Sequence, residues 1–269
     1  MQENLHQQSG KPGLSGAVLK LTAMAVMLVD HAAAGFLELS GSADGVPWME
    51  QLPHGELLDL ILRGIGRSAF PIFCFFLVEG FYHTRSRWKY LRNLTVAGLV
   101  SQIPFYGLLF TGRIRDSYGG AGLQTDVFFT LALGLIAVWI TDVSVKRRWV
   151  DGSFAALSAG EKILRLSAAA GGIAGCCAAA VLLNTDYSCG GVLAILLLYL
   201  FYHRRKEGLA LSYAELGMYS GMEFLAIPGF ALLLCYNGER GRQNKFLFYS
   251  FYPVHLFVLW VIRLAVFGY

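Results

Sequence analysis

Apolar residues along this chain come in blocks of about 20, separated by short polar runs, and each block can cross a hydrocarbon layer of roughly 30 Å at 1.5 Å per residue. The blocks cover residues 17–39, 57–83, 90–111, 125–145, 163–183, 187–203, 209–236 and 246–267. The pattern predicts an all-α protein, a polytopic transmembrane helical bundle of about eight helices. The seventh block is the longest and contains Tyr213, Glu215, Tyr219, Ser220 and Glu223, with Gly217 and Gly221 flanking its middle. Two short or re-entrant segments in its place give nine crossings; eight is the preferred count and nine the alternative. Residues 1–16 form a polar N-terminal tail without a cleavable signal, and residues 17–269 form a single membrane domain.

Composition agrees with lipid as the solvent. Hydrophobic residues make up 55% of the chain and charged residues 15%, whereas soluble domains average roughly a quarter charged. The net charge of +4 does not point to nucleic acid, because the basic residues bunch between apolar blocks: Arg85, Arg87, Lys89 and Arg92, then Lys146, Arg147 and Arg148, then Arg204, Arg205 and Lys206. By the positive-inside rule these loops and the N-terminus face the cytoplasm. The first connection, with Asp44, Glu50, Glu56 and Asp59, faces outward. One loop conflicts with this scheme: residues 237–245 carry Arg240, Arg242 and Lys245, yet eight spans place them outside. The five cysteines lack metal-ligand spacing and read as small packing residues, so no metal is expected.

Ionisable side chains inside spans are costly and mark functional positions or interhelical hydrogen bonds. In the first block Lys20, Met24, Met27 and His31 share one helix face, with His31 roughly 16 Å further along than Lys20. Asp30 points about 100° away from His31, so it pairs with another helix rather than orienting the imidazole. In the second block Arg67 reaches a depth close to that of His31, Pro71 predicts a kink beside it, and Glu79 lies level with Lys20 as a candidate ion-pair partner. His255, next to Tyr252 and Pro253 in the last block, joins the same depth if the eight-span count holds. Asp186, Tyr187, Tyr236 and Asn237 read either as site residues or as turn and interface residues.

The segments LKLTAMAVMLVDH, GRSAFPIFCFFLVEGFYHTRSRWKYL, SQIPF, DVFFTLALG, TDYSCGGV, CYNGERG and FYSFYPVHL resemble the TraX family in order and placement across residues 19–259. The namesake of that family is the membrane protein that acetylates the N-terminus of F-type pilin, and the family looks related to larger membrane acyltransferases. The resemblance implies a multi-pass protein of the bacterial cytoplasmic membrane that moves an acetyl group from acetyl-CoA to a peptide amine or an envelope glycan. It also implies positions to test: Asp30, His31, Arg67, Glu79, His83, Arg85, Tyr90, Asp186, Tyr187, Asn237, Tyr252 and His255. Joined to the depth argument, His31, Asp30, Arg67 and His255 form the catalytic group, with His31 as general base. Lys20, Glu79, His83, Arg85 and Tyr90 bind acetyl-CoA, and Asp186, Tyr187, Asn237 and Tyr252 bind the acceptor. The long loop 40–56 and the Gly-rich segment 116–122 depart from the family and leave the acceptor open. A proton-coupled transporter is the main rival, since buried Asp, Glu and His also serve as proton relays.

Overall fold

The structure, a computed structural model, describes residues 12–41, 46–110, 124–242 and 244–268. Most of the polar tail, part of the 40–56 loop and the whole of segment 116–122 lie outside the described residues. Helix α1 (Gly16–Ala33) starts where the Ser15 side chain accepts the Val18 N–H, and it continues through a π-helical turn over Ala34–Glu38. A short α2 (Trp48–Gln51) leads into α3 (Gly55–Arg67) and α4 (Ala69–His83). Then come α5 (Arg87–Leu109), α6 (Val127–Thr141), α7 (Arg147–Val150), α8 (Ala159–Leu182) and α9 (Ser188–Leu200). The chain ends with α10 (Arg205–Tyr219), α11 (Ile227–Leu234) and α12 (Lys245–Phe267).

Five of the described helical stretches are long and apolar enough to span a membrane: Gly16–Glu38, Gly55–His83, Val127–Val150, Ala159–Leu182 and Phe246–Phe267. Helix α5 matches them in length at 23 residues, although Arg87, Lys89 and Arg92 load its first turns with charge. Helix α4 is apolar on every side and buries Phe70, Ile72, Cys74, Phe75, Phe76 and Phe81, which is the signature of a helix surrounded by others. Helix α8 has the opposite character, with Ile163, Leu164, Val181 and Leu182 turned outward, as suits a helix facing lipid.

The second block breaks as Pro71 predicts. Pro71 has no N–H for the carbonyl four residues earlier, which belongs to Arg67. The helix is interrupted there, at Ser68, between α3 and α4.

The seventh block is interrupted, as the nine-crossing alternative expects. It is not one helix: α10 ends at Tyr219, Ser220 is extended at φ −142° and ψ 121°, a 3-10 turn occupies Gly221–Ala226, and α11 follows. Arg205 at the start of α10 donates to the Tyr236 carbonyl beyond α11 at 2.9 Å, so both ends of this hairpin lie on one face. That face is the one that holds the N-terminus, because Leu14 N–H donates to the Cys235 carbonyl at 2.8 Å and Asn237 N–H to the Leu14 carbonyl at 3.0 Å. The basic loop after α11 therefore sits beside the start of α1, not across the bundle from it. Its positive charge then agrees with that of the other basic loops.

Helix α12 consequently runs parallel to α1. Lys20 lies 5.5 Å from the Phe248 ring, His31 meets His255, and Leu39 meets Arg263, in step along both helices. Arg263 is 1% exposed and donates to the carbonyls of Leu108, at the end of α5, and of Leu39, after the π turn, the second at 3.0 Å. One guanidinium thus ties the distal ends of three long helices, where unpaired carbonyls concentrate negative partial charge.

Candidate functional site

Asp30 and His31 are adjacent in sequence and diverge in space. The Asp30 carboxylate accepts from Arg63 of α3 at 2.8 Å, and Arg63 also lies 3.4 Å from Glu38. This close pairing needs glycine at position 66, where a Cβ would stand 2.2 Å from that of Asp30. The expected pairing of Asp30 with another helix is found.

His31 turns instead toward α12. Its Nδ1 lies 2.8 Å from Nε2 of His255, with ring centroids 5.0 Å apart and planes 22° apart. Nδ1 of His255 in turn lies 2.8 Å from the Phe251 carbonyl. Tyr252 packs edge-on to both imidazoles, at 5.7 Å from His31 and 5.4 Å from His255, and Phe128 backs it at 5.0 Å. Both histidines are 6% exposed and Tyr252 is 3% exposed, and the Tyr252 hydroxyl has the Val127 backbone N–H beside it but no acceptor among the described residues. His31 and His255 converge with α1 and α12 running in step from the same face.

Arg67 sits at the break between α3 and α4, facing the 3-10 turn of the hairpin, where Glu223 accepts from it at 3.3 Å. It is within electrostatic reach of Tyr187, Asp30 and Asp186, and of His31. The Tyr187 ring stacks on Phe70 with centroids 3.4 Å apart, while Tyr187 N–H donates to the Thr130 hydroxyl of α6. Asp186 is exposed on the short turn between α8 and α9, next to a backbone bridge between Thr125 and Thr185. The polar centre therefore lies toward the face opposite the N-terminus.

Asp126 also belongs to this neighbourhood, though its sequence context gives only a helix-cap signal. One carboxylate oxygen accepts the Phe128 N–H at 2.9 Å and caps α6; the other is buried and unpaired, close enough to Tyr252 and Asp186 to act on both. Arg67 Nε and Glu223 Oε2 are likewise buried without partners among the described residues. Unpaired buried polar atoms are rare and costly; these lie around the two histidines and the arginine, while others, such as Trp48 Nε1, Ser212 Oγ and Trp260 Nε1, lie elsewhere among the described residues.

The remaining expected site residues lie on the N-terminal face. Glu79 accepts from the Tyr202 hydroxyl at 2.9 Å and the Tyr236 hydroxyl at 3.5 Å, and pairs with His83 at 3.4 Å. Lys20 lies over the Phe76 ring at 4.7 Å and feels the Glu79 charge through space. Arg85 is exposed, and the Tyr90 hydroxyl donates to the Leu77 carbonyl at 3.4 Å. Asn237 belongs here too: it accepts the Glu239 N–H at 2.9 Å in the loop beside α1, separated from Asp186, Tyr187 and Tyr252 by the depth of the bundle. On this same face Asp142 collects Arg87 at 2.8 Å, Arg147 at 3.3 Å and the Tyr199 hydroxyl at 2.8 Å, a cluster the sequence pattern did not announce.

Among known proteins, the family model for TraX protein matches residues 15–263. A curated relative, the "Probable fimbrial assembly protein FimC, serogroup H1" of Dichelobacter nodosus, is 31% identical over 264 residues, covering 90% of this chain and 92% of that protein. No solved structure matches the chain.

Proposed function

Because this chain belongs to the TraX family, we propose that it is an integral-membrane acetyltransferase that works across the bilayer, taking acetyl-CoA from the cytoplasmic face and an amine acceptor from the opposite face. The observation that carries this reading is the pair of polar regions joined through α1: a basic and aromatic one near the N-terminus, and a buried one around His31, His255 and Arg67 further along the helix.

On the N-terminal face, exposed Arg85 and the Lys20 ammonium are cations suited to the phosphates of acetyl-CoA, and Arg87 and Arg147, which share the single carboxylate of Asp142, add to the positive charge there. The bound donor supplies an activated thioester. Around it, His31 accepts the proton that the acceptor amine loses as its nitrogen bonds the acetyl carbonyl carbon, and returns that proton to the sulfur as the C–S bond breaks. The Tyr252 hydroxyl donates to the carbonyl oxygen as negative charge develops there. Arg67, held by Glu223, and exposed Asp186 orient the acceptor. The relative is named a probable fimbrial assembly protein, and carried to this chain that name favours the free N-terminus of a fimbrial subunit as the acceptor.

The test is transfer of labelled acetyl from acetyl-CoA to a synthetic peptide with a free amino terminus, using detergent-purified protein. His31→Ala is expected to lose transfer while still binding acetyl-CoA by calorimetry. Full transfer by that variant removes His31 as the base, and absence of acetyl-CoA binding by the wild-type protein favours transport instead.

A further inference from the structure

The two hydrogen bonds that pass through His255 fix which nitrogen of His31 carries a proton. A backbone carbonyl can only accept, so the 2.8 Å contact between His255 Nδ1 and the Phe251 carbonyl places a proton on Nδ1. Neutral His255 then has a bare Nε2, which can only accept. The 2.8 Å contact to His31 requires His31 Nδ1 to donate. With its one proton committed there, neutral His31 is left with a lone pair on Nε2, the nitrogen turned away from α12.

We propose that His255 is a positioning residue: through the chain Phe251 carbonyl, His255, His31, it holds the His31 imidazole in the tautomer whose Nε2 can take a proton. This rests on the reading of His31 as the base. The role is the one a carboxylate plays behind a catalytic histidine, and here a second, neutral imidazole performs it. The neutral partner suits its setting. Arg63 and Arg67 of α3 already act on His31, and Asp30, the nearest carboxylate in sequence, is drawn off to Arg63. The geometry is built into α12, because Phe251 and His255 are one turn apart on the same helix and their rings stack at 4.6 Å and 19°. Rotation of His255 away from His31 would break that stack and the carbonyl contact together.

Two substitutions separate the role from simple packing. His255→Leu fills the space without an acceptor, so His31 is free to move its proton to Nε2. His255→Gln restores an acceptor oxygen near the former Nε2 but cannot itself act as a base. Losing such an orienting partner typically costs ten- to hundredfold or more, so His255→Leu is expected to lower kcat about 100-fold with the KM for acetyl-CoA unchanged, and His255→Gln to recover to within about tenfold of wild type. A second measurement is independent of turnover: ring-nitrogen NMR of protein labelled with 15N-histidine, with His31→Ala used to assign the signals. The expected result is a protonated Nδ1 and bare Nε2 for His31 in the wild type and in His255→Gln, and a population carrying the proton on Nε2 in His255→Leu. A wild-type His31 protonated on Nε2, or a His255→Leu variant with unchanged tautomer and unchanged kcat, overturns the proposal even if wild-type transfer is robust. Failure of the wild-type protein to transfer acetyl, with the expected tautomers present, overturns the enzymatic reading and leaves the hydrogen-bond chain standing.

Discussion

At the scale of single residues, the pair Asp30 and His31 shows how a helix sorts neighbours into separate tasks. Successive side chains diverge by about 100°, so the carboxylate goes to α3 and the imidazole to α12. Loss of the Asp30 carboxylate would leave Arg63 with the longer contact to Glu38 at 3.4 Å and no ion pair between α1 and α3 at this level. That makes Asp30 a brace for the α1–α3 contact on which His31 rides. Tyr252 presents the converse case, a buried side chain whose hydroxyl finds no acceptor for its proton among the described residues. If that hydroxyl steadies the developing oxyanion, Tyr252→Phe keeps the ring contacts and the fold, and lowers kcat by about 100-fold, the usual cost of losing one such donor. Circular dichroism and thermal melting of the purified variant are expected to match wild type. An unchanged kcat would remove Tyr252 from the chemistry and turn attention to the unpaired Nε of Arg67.

At the scale of elements, most of the helices were legible because lipid imposes a length and a composition on every span. The last span runs Phe246–Phe267 as expected, and Pro71 broke the second block beside Arg67. The hairpin of α10 and α11 was legible only as an ambiguity. Glu215, Glu223 and the flanking glycines signalled a break, but hydropathy alone cannot say that the chain doubles back, since that depends on a contact between Arg205 and Tyr236 across 31 residues. Arg263 and Asp126 went unread for a related reason: each is a single polar residue at the edge of an apolar run, and its partners come from remote helices. The hairpin carries Glu223 to Arg67, and its approach depends on Gly229, where a Cβ would lie 2.4 Å from the Ser68 carbonyl oxygen and 2.8 Å from its Cα. Backbone cannot yield as a side chain end can. Gly229→Ala is therefore expected to destabilise the protein by about 1–3 kcal/mol through overpacking and to loosen the pairing of Glu223 with Arg67. Wild-type thermal stability in this variant would show that α11 approaches the break less closely.

At the scale of the whole molecule, the arrangement of loops on the two faces decides whether donor and acceptor can approach from opposite sides. The chain ties residues 13–16 to 235–241, and α4 ends at His83 on that same face, while the 184–186 turn lies with the far end of α6. The positive-inside rule assigns the first face to the cytoplasm. Single-cysteine labelling measures this directly. All five native cysteines are free, and Cys235 is exposed, so the background must have them replaced by serine or alanine. In sealed inside-out vesicles, a membrane-impermeant maleimide is expected to label His83→Cys and Arg240→Cys to a similar extent and to spare Asn184→Cys; in right-side-out vesicles the pattern reverses. Labelling of Arg240→Cys together with Asn184→Cys would restore the uninterrupted seventh span and part α12 from its parallel course with α1. Labelling as expected fixes the N-terminal face and the 184–186 turn as lying in different compartments, the arrangement that the proposed approach of two substrates from opposite ends of α1 requires.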